Sequence, residues 1–147
     1  MSQFNENVLE LESILRSVSI LLKKRLIAIL KEFEITPSQF RALIILKKKN
    51  KTKMKHLVKK MHRKPPTATG IIDRLVKKEL VQRSGSEKDR RIVNVELTNK
   101  GQKLVEKIRE KSLEKLQADI EGFSEKEINQ FIDLLKKFQI TVEENNK

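Results

Sequence analysis

The stretch Pro65–Thr98 constrains the fold of this 147-residue chain more than any other. It opens PPTATGIIDRLVKKEL and closes VQRSGSEKDRRIVNVELT. The first run predicts a helix with Pro65 or Pro66 in its first turn, where a missing N–H costs nothing. Ala68, Ile71, Ile72, Leu75 and Val76 fall on one face at helical spacing, leaving Thr67, Gly70, Arg74, Lys77 and Lys78 to water or a ligand. The second run predicts two short strands joined by a loop. Within Arg91–Leu97, Val93, Val95 and Leu97 alternate with Asn94 and Glu96, the period of a half-buried strand. The loop Gly85–Arg91 is short, polar and net positive. A helix with a cationic outer face running into a hairpin with a cationic tip is the layout of a winged helix-turn-helix. An ordinary surface helix and hairpin of a small α+β domain fits the periodicity equally well, so the rest of the chain has to decide.

Charge decides much of it. The formal net charge is +13, and it is not spread evenly. Residues 1–35 are net zero, residues 36–101 carry nineteen Lys and Arg against five Asp and Glu, and residues 102–147 are net −1. A merely lysine-rich composition would load all three segments alike. A basic middle that coincides with the helix and hairpin is an electrostatic footprint for a polyanion. The length suits one domain, or one domain with extensions. With no cysteine there is no disulfide framework and no thiolate metal site. The N-terminus has early acidic residues and no secretory pattern, and no apolar run approaches a membrane span. A soluble, cytoplasmic protein without membrane attachment is expected.

Along the chain, Val8, Leu11, Leu15, Val18, Leu22, Leu26, Ile29 and Phe33 predict a long first helix. Leu9, Ile14, Ile20, Leu21 and Ile27 widen its stripe beyond one face, which points to burial against a second copy. Thr36-Pro37-Ser38-Gln39 fits a capping box, with Ile35 and Phe40 placed as a hydrophobic staple. The helix it starts ends at Lys47–Asn50, and another follows around Lys53–Met61 with Met54, Leu57, Val58 and Met61 inward. Two short helices at this spacing form a helix-turn-helix. After the hairpin, Thr98 can cap a helix carrying Leu104, Val105, Ile108, Leu116 and Ile120 as far as Gly122. Ser124–Glu127 is a second capping box, opening a helix expected to bury Ile128, Phe131, Ile132, Leu135, Phe138 and Val142 and to fray over Glu143–Lys147.

Other chemistries are poorly supported. The four glycines are isolated, so no phosphate loop exists, and His56 and His62 sit among lysines without nearby carboxylates, a poor metal site. No nucleophile has a recognisable base. Neither an enzyme nor a metal or other cofactor is expected. All six phenylalanines lie outside residues 41–101, and Tyr and Trp are absent. The basic segment therefore lacks the aromatic faces of RNA and single-strand binders, and double-stranded DNA is the expected partner.

TPSQFRALIIL, PPTATGIIDRLVKKELV and RSGSEKDRRIVNVELTNKG together resemble the MarR family of winged-helix regulators, over essentially the whole chain. Asp89, Arg90 and Arg91 match the family's D-R-R wing signature, and Leu97, Thr98 and Gly101 its L-T-x-x-G exit. The resemblance implies a mainly α fold with a small β-hairpin wing. It makes residues 1–35 an N-terminal dimerisation helix, 36–101 the winged helix-turn-helix and 102–147 C-terminal dimerisation helices. It makes Pro65–Leu80 the recognition helix in the major groove and puts Arg91 in the minor groove, its guanidinium held by Asp89. The expected DNA-contacting set is Lys64, Pro66, Thr67, Thr69, Gly70, Arg74, Lys77, Lys88, Asp89, Arg90 and Arg91. The implied function is that of a homodimeric, sequence-specific repressor relieved by a small phenolic or anionic ligand. An architectural, nucleoid-type duplex binder without an operator is the rival, favoured by the high positive charge. A winged-helix module binding an acidic protein is a third reading.

Three positions depart from the family pattern. Lys64 stands where a small capping residue is common, a loss of roughly 1 kcal/mol. Gly70 stands where arginine often faces DNA, and is read as permissive. Glu79 replaces the glycine that ends the recognition helix, which brings the geometry of that turn into question.

Overall fold

A computed structural model describes residues 2–147; Met1, first residue of the expected N-terminal segment, lies outside them. The elements are α1 (Gln3–Glu32), α2 (Pro37–Lys49), β1 (Lys51–Lys53), α3 (Met54–Met61), α4 (Pro65–Lys77), β2 (Val81–Gly85), β3 (Val93–Leu97), α5 (Asn99–Asp119) and α6 (Glu125–Asn145). They form two compact units, one running through Lys111 and the other Ser112–Lys147, so α5 belongs to both.

The first unit holds the core. Ser2 caps α1 through its side chain, which accepts from the Asn5 N–H. The Thr36 capping box forms in full: Thr36 Oγ1 accepts from Gln39 N at 3.2 Å, and Gln39 Oε1 accepts from Thr36 N at 3.1 Å. That exchange explains why Gln39, a polar side chain, is buried. Leu43 and Leu46 of α2, Leu57 and Met61 of α3, and Ala68, Ile71, Ile72 and Leu75 of α4 fill one cluster with Leu30, Val95 and Ile108. The expected stripes of α3 and α4 face this core, with Leu57, Met61, Ala68, Ile71, Ile72 and Leu75 buried and Met54, Val58 and Val76 half-buried against it.

The sheet has three antiparallel strands in the order β1-β3-β2, with Thr52 opposite Val95 and Val81 opposite Leu97. β1 is not expected from the sequence, which passes from a helix end straight to the next helix. Val95 and Leu97 are buried as expected, whereas Val93 is exposed. It sits where the hairpin leaves the core for the wing.

α4 ends in a Schellman turn built on a glutamate. Leu80 N donates to Leu75 O at 3.0 Å and Glu79 N to Val76 O at 2.9 Å, with Glu79 at φ 61°. The departure from glycine leaves the turn geometry intact at the cost of a left-handed non-glycine residue. α1 ends the same way on Glu34, at φ 56°. Gly101 has a different necessity: a Cβ there would lie 2.1 Å from the Leu80 carbonyl oxygen. Thr98 closes the junction, its hydroxyl donating to Glu79 O at 2.6 Å and accepting from Gly101 N at 3.0 Å.

In the second unit Ser124 and Glu127 make a complete capping box. The Ser124 N–H and then the Ser124 hydroxyl, bonded to the Glu127 carboxylate, hold it below the usual carboxylate range. Two expectations fail here. α6 buries none of its residues: Phe131 is 55% exposed and Phe138 44%. The apolar stripe is real, but the chain does not cover it. The helix also continues to Asn145 rather than fraying from Glu143.

Candidate nucleic-acid interface

The outer arc of α4 is polar because its inner arc is committed to the core. Ala68, Ile71, Ile72 and Leu75 are buried, and helical spacing turns Pro66, Thr67, Thr69, Arg74 and Lys77 outward, all exposed. Lys64 precedes α4 with φ −59° and ψ 141° and makes no side-chain cap, so its ammonium is free of the helix end. Pro65 and Pro66 occupy the first turn in its place, where absent N–H groups need no acceptor. Gly70 faces open space, with no atom within 4 Å of a Cβ placed there. Packing within the chain therefore does not require glycine there.

The wing is a tight, internally bonded loop. Ser86 Oγ accepts from Lys88 N at 3.2 Å and Asp89 N at 3.4 Å, and Ile92 N donates to Asp89 O at 3.1 Å. Asp89 Oδ1 accepts from Arg91 N at 3.0 Å and from Arg91 Nε at 3.3 Å. One carboxylate oxygen thus accepts from both the backbone and the guanidinium of Arg91. The Arg91 side chain remains 92% exposed while Asp89 is 37% exposed. Lys88 and Arg90 flank this pair in solvent.

Thr69 of α4 and Arg91 of the wing line one cleft of about 770 Å³, together with Lys55, His56 and Asp73. Arg83 of β2 pairs with Asp73 of α4 across it, an ion pair that links helix and hairpin. Lys55, His56 and Arg83 lie outside the set expected from sequence. Their outward position is legible for α3, but their approach to the wing depends on β1, which the sequence does not reveal. The α3–α4 turn is tied down by Arg63, which donates to Ser38 Oγ at 3.3 Å.

Lys48 and Lys49 at the end of α2 converge with Lys60 of α3. The adjacent Lys49 ammonium, with desolvation and the charges of Lys49 and Lys48, lowers the Lys60 pKa. Lys47 instead pairs with Glu106, whose carboxyl is held below its ordinary range first by that hydrogen bond and then by the lysine's charge. Among the described residues no group of His, Asp and Glu could hold a metal ion, and no helix is long and apolar enough to cross a membrane.

An exposed polar helix closing a helix-turn-helix, beside a hairpin with a cationic tip, defines a winged helix-turn-helix DNA-binding protein. The MarR family model matches residues 35–93. An uncharacterised HTH-type transcriptional regulator of Bacillus subtilis, YsmB, is 34% identical over 134 residues, covering 91% of this chain and 92% of its own. A MarR family protein from Bacillus stearothermophilus superposes with a TM-score of 0.84 at 33% identity, over 97% of this chain and 98% of that one. A mutant of MepR from S. aureus, solved bound to an oligodeoxyribonucleotide, gives a TM-score of 0.73 at 26% identity, over 89% and 96%. The chain belongs to the MarR family, and its function is DNA binding in transcription regulation.

Proposed function

We propose that the protein is a homodimeric, sequence-specific repressor that reads duplex DNA with α4 and the wing and is released by a small anionic ligand. The observation that carries this reading is the pairing of two contact elements of different character. α4 offers Thr67, Thr69 and Arg74, side chains able to bond base edges in a major groove. The wing offers a guanidinium already aimed by Asp89, suited to a narrow minor groove because it is planar and weakly hydrated. Lys64, Lys77, Lys88 and Arg90 would hold backbone phosphates on either side, and Pro66 and Gly70 allow close approach.

The dimer is supported by uncovered apolar surface. α1 exposes Val8, Leu11, Ile14, Val18 and Leu22, and α6 exposes Phe131, Leu135 and Phe138. Patches of this kind are rare on monomers. Residues 1–35 and 102–147 are accordingly the dimerisation segments and 36–101 the DNA-binding one, in a cytoplasmic protein.

The architectural alternative draws on the converging Lys48, Lys49 and Lys60, a charge cluster relieved by any duplex. Competition separates the two. A labelled site selected from random sequence should stay bound when bulk genomic DNA is added in large excess. Its loss in step with added competitor would favour the architectural reading.

A further inference from the structure

Between Glu34 and Asp73 the chain carries eleven Lys and Arg and no acidic residue, more cations than α4 and the wing use. Lys47 is neutralised by Glu106, and Arg63 is tied to Ser38. The remaining surplus has a definite shape. β1 is an edge strand in which Thr52 turns inward and Lys51 and Lys53 are exposed. On α3, burial of Leu57 and Met61 leaves Lys55, His56, Lys59 and Lys60 exposed, in two pairs each one turn apart. Lys48 and Lys49, exposed at the end of α2, converge with Lys60. None of these three has an acidic partner among the described residues. A surface that served solubility alone would intersperse both signs of charge. Here like charges are crowded together instead.

One end of this surface opens into the candidate DNA interface, because Lys53, Lys55 and His56 line the cleft that holds Thr69 and Arg91. From there Lys60 lies about 7.5 Å farther along the α3 axis than Lys55, roughly two base-pair steps of duplex. The chemistry of the surface narrows its partner. Residues 41–101 contain no aromatic side chain on which a nucleobase could stack. Met54 and Val58 are packed against the core, so α3 has no apolar anchor for a lipid surface. Closely spaced phosphates suit it, and its continuity with the cleft points to the same duplex.

We propose that the outer face of α3 and the end of α2 seat the phosphate backbone of DNA flanking each half-site, beyond the groove contacts of α4 and the wing. Lys48, Lys49 and Lys60 close on flanking phosphates and draw the duplex towards the protein outside the operator. Such contacts add affinity but carry no sequence information. The inference rests on α4 and the wing being the elements that read DNA.

Two duplexes carrying the same selected site test it on the full chain. One ends at the half-sites, and the other is extended by about ten base pairs of arbitrary sequence, one helical turn, at each end. The wild type should bind the longer duplex about tenfold more tightly at low salt. Lys48→Gln with Lys49→Gln and Lys60→Gln should bind both duplexes about as the wild type binds the short one. On the longer duplex its log–log salt slope should be shallower than wild type by about 2–3. No gain with length in the wild type, or a gain that survives in the variant, would overturn the assignment. Equal weakening on both duplexes would put these lysines on the operator itself and overturn it too. Hydroxyl-radical cleavage of the wild-type complex needs no variant: flanking sugars should be protected, and flanks cut as in free DNA would contradict the contact. A wild type that selects no site would remove the regulator reading. The arbitrary duplex then judges the lysine surface alone, with about tenfold weaker binding expected of the variant and equal binding overturning the surface.

Discussion

Asp89 has opposite consequences for DNA affinity according to its role. As a bare negative charge at the wing tip it repels phosphate, and Asp89→Ala should tighten binding. As the group that aims Arg91, its loss should weaken binding although a repulsive charge is removed. The 3.3 Å bond to Arg91 Nε predicts weakening. Asp89→Asn keeps an acceptor for the Arg91 N–H and isolates the effect of the charge on the guanidinium. Arg91→Ala should cost roughly 1–3 kcal/mol of operator affinity. Its melting temperature should hold, since an exposed ion pair contributes little to folding. Arg91→Lys should not restore affinity; a lysine that does so would show that charge alone suffices. Two backbone positions carry predictions of stability instead. Glu79→Gly relieves a left-handed residue and should stabilise the fold by about 1 kcal/mol, read as a higher denaturant midpoint. Gly101→Ala should destabilise it by at least about 1–3 kcal/mol, because the methyl meets the Leu80 carbonyl across the α4–α5 junction. A neutral Gly101→Ala would contradict that close approach.

At the scale of elements, most of the helices are legible in the sequence because their starts are written in local chemistry. Thr36 with Gln39 and Ser124 with Glu127 both cap as their spacing implies. β1 is not legible, since a three-residue strand of Lys51-Thr52-Lys53 has no periodicity and exists only because β3 supplies its partner. The wing cleft inherits that gap: Lys55, His56 and Arg83 join the candidate site through the packing of β1, α3 and β2. The burial expected of α6 fails for another reason. An amphipathic pattern states that a face needs covering but not which chain covers it. The Ser124 cap also carries a pH signature. Glu127 is held below its ordinary pKa, so its contribution is full above about pH 4.3 and is lost as pH falls through the lower folded value. Glu127→Gln should therefore lower stability at pH 7 and flatten its decline on the acid side, measured by thermal melts from pH 7 to 3. Parallel curves for the two proteins would exclude the carboxylate as a cause.

For the whole molecule, pairing is the central requirement. The exposed faces of α1 and α6 predict a dimer by light scattering at micromolar concentration, and deletion of residues 1–20 should abolish both the dimer and tight DNA binding. A truncated chain that still binds tightly would separate DNA binding from the α1 face. Two-fold pairing also fixes how far apart two copies of α4 can reach. Footprinting of the purified full chain on a selected duplex measures this directly. Two protected half-sites about one helical turn apart, related by two-fold symmetry and lost together at high salt, are the predicted result. A single half-site, or protection that spreads evenly along the duplex with no fixed spacing, would contradict a paired, operator-reading protein.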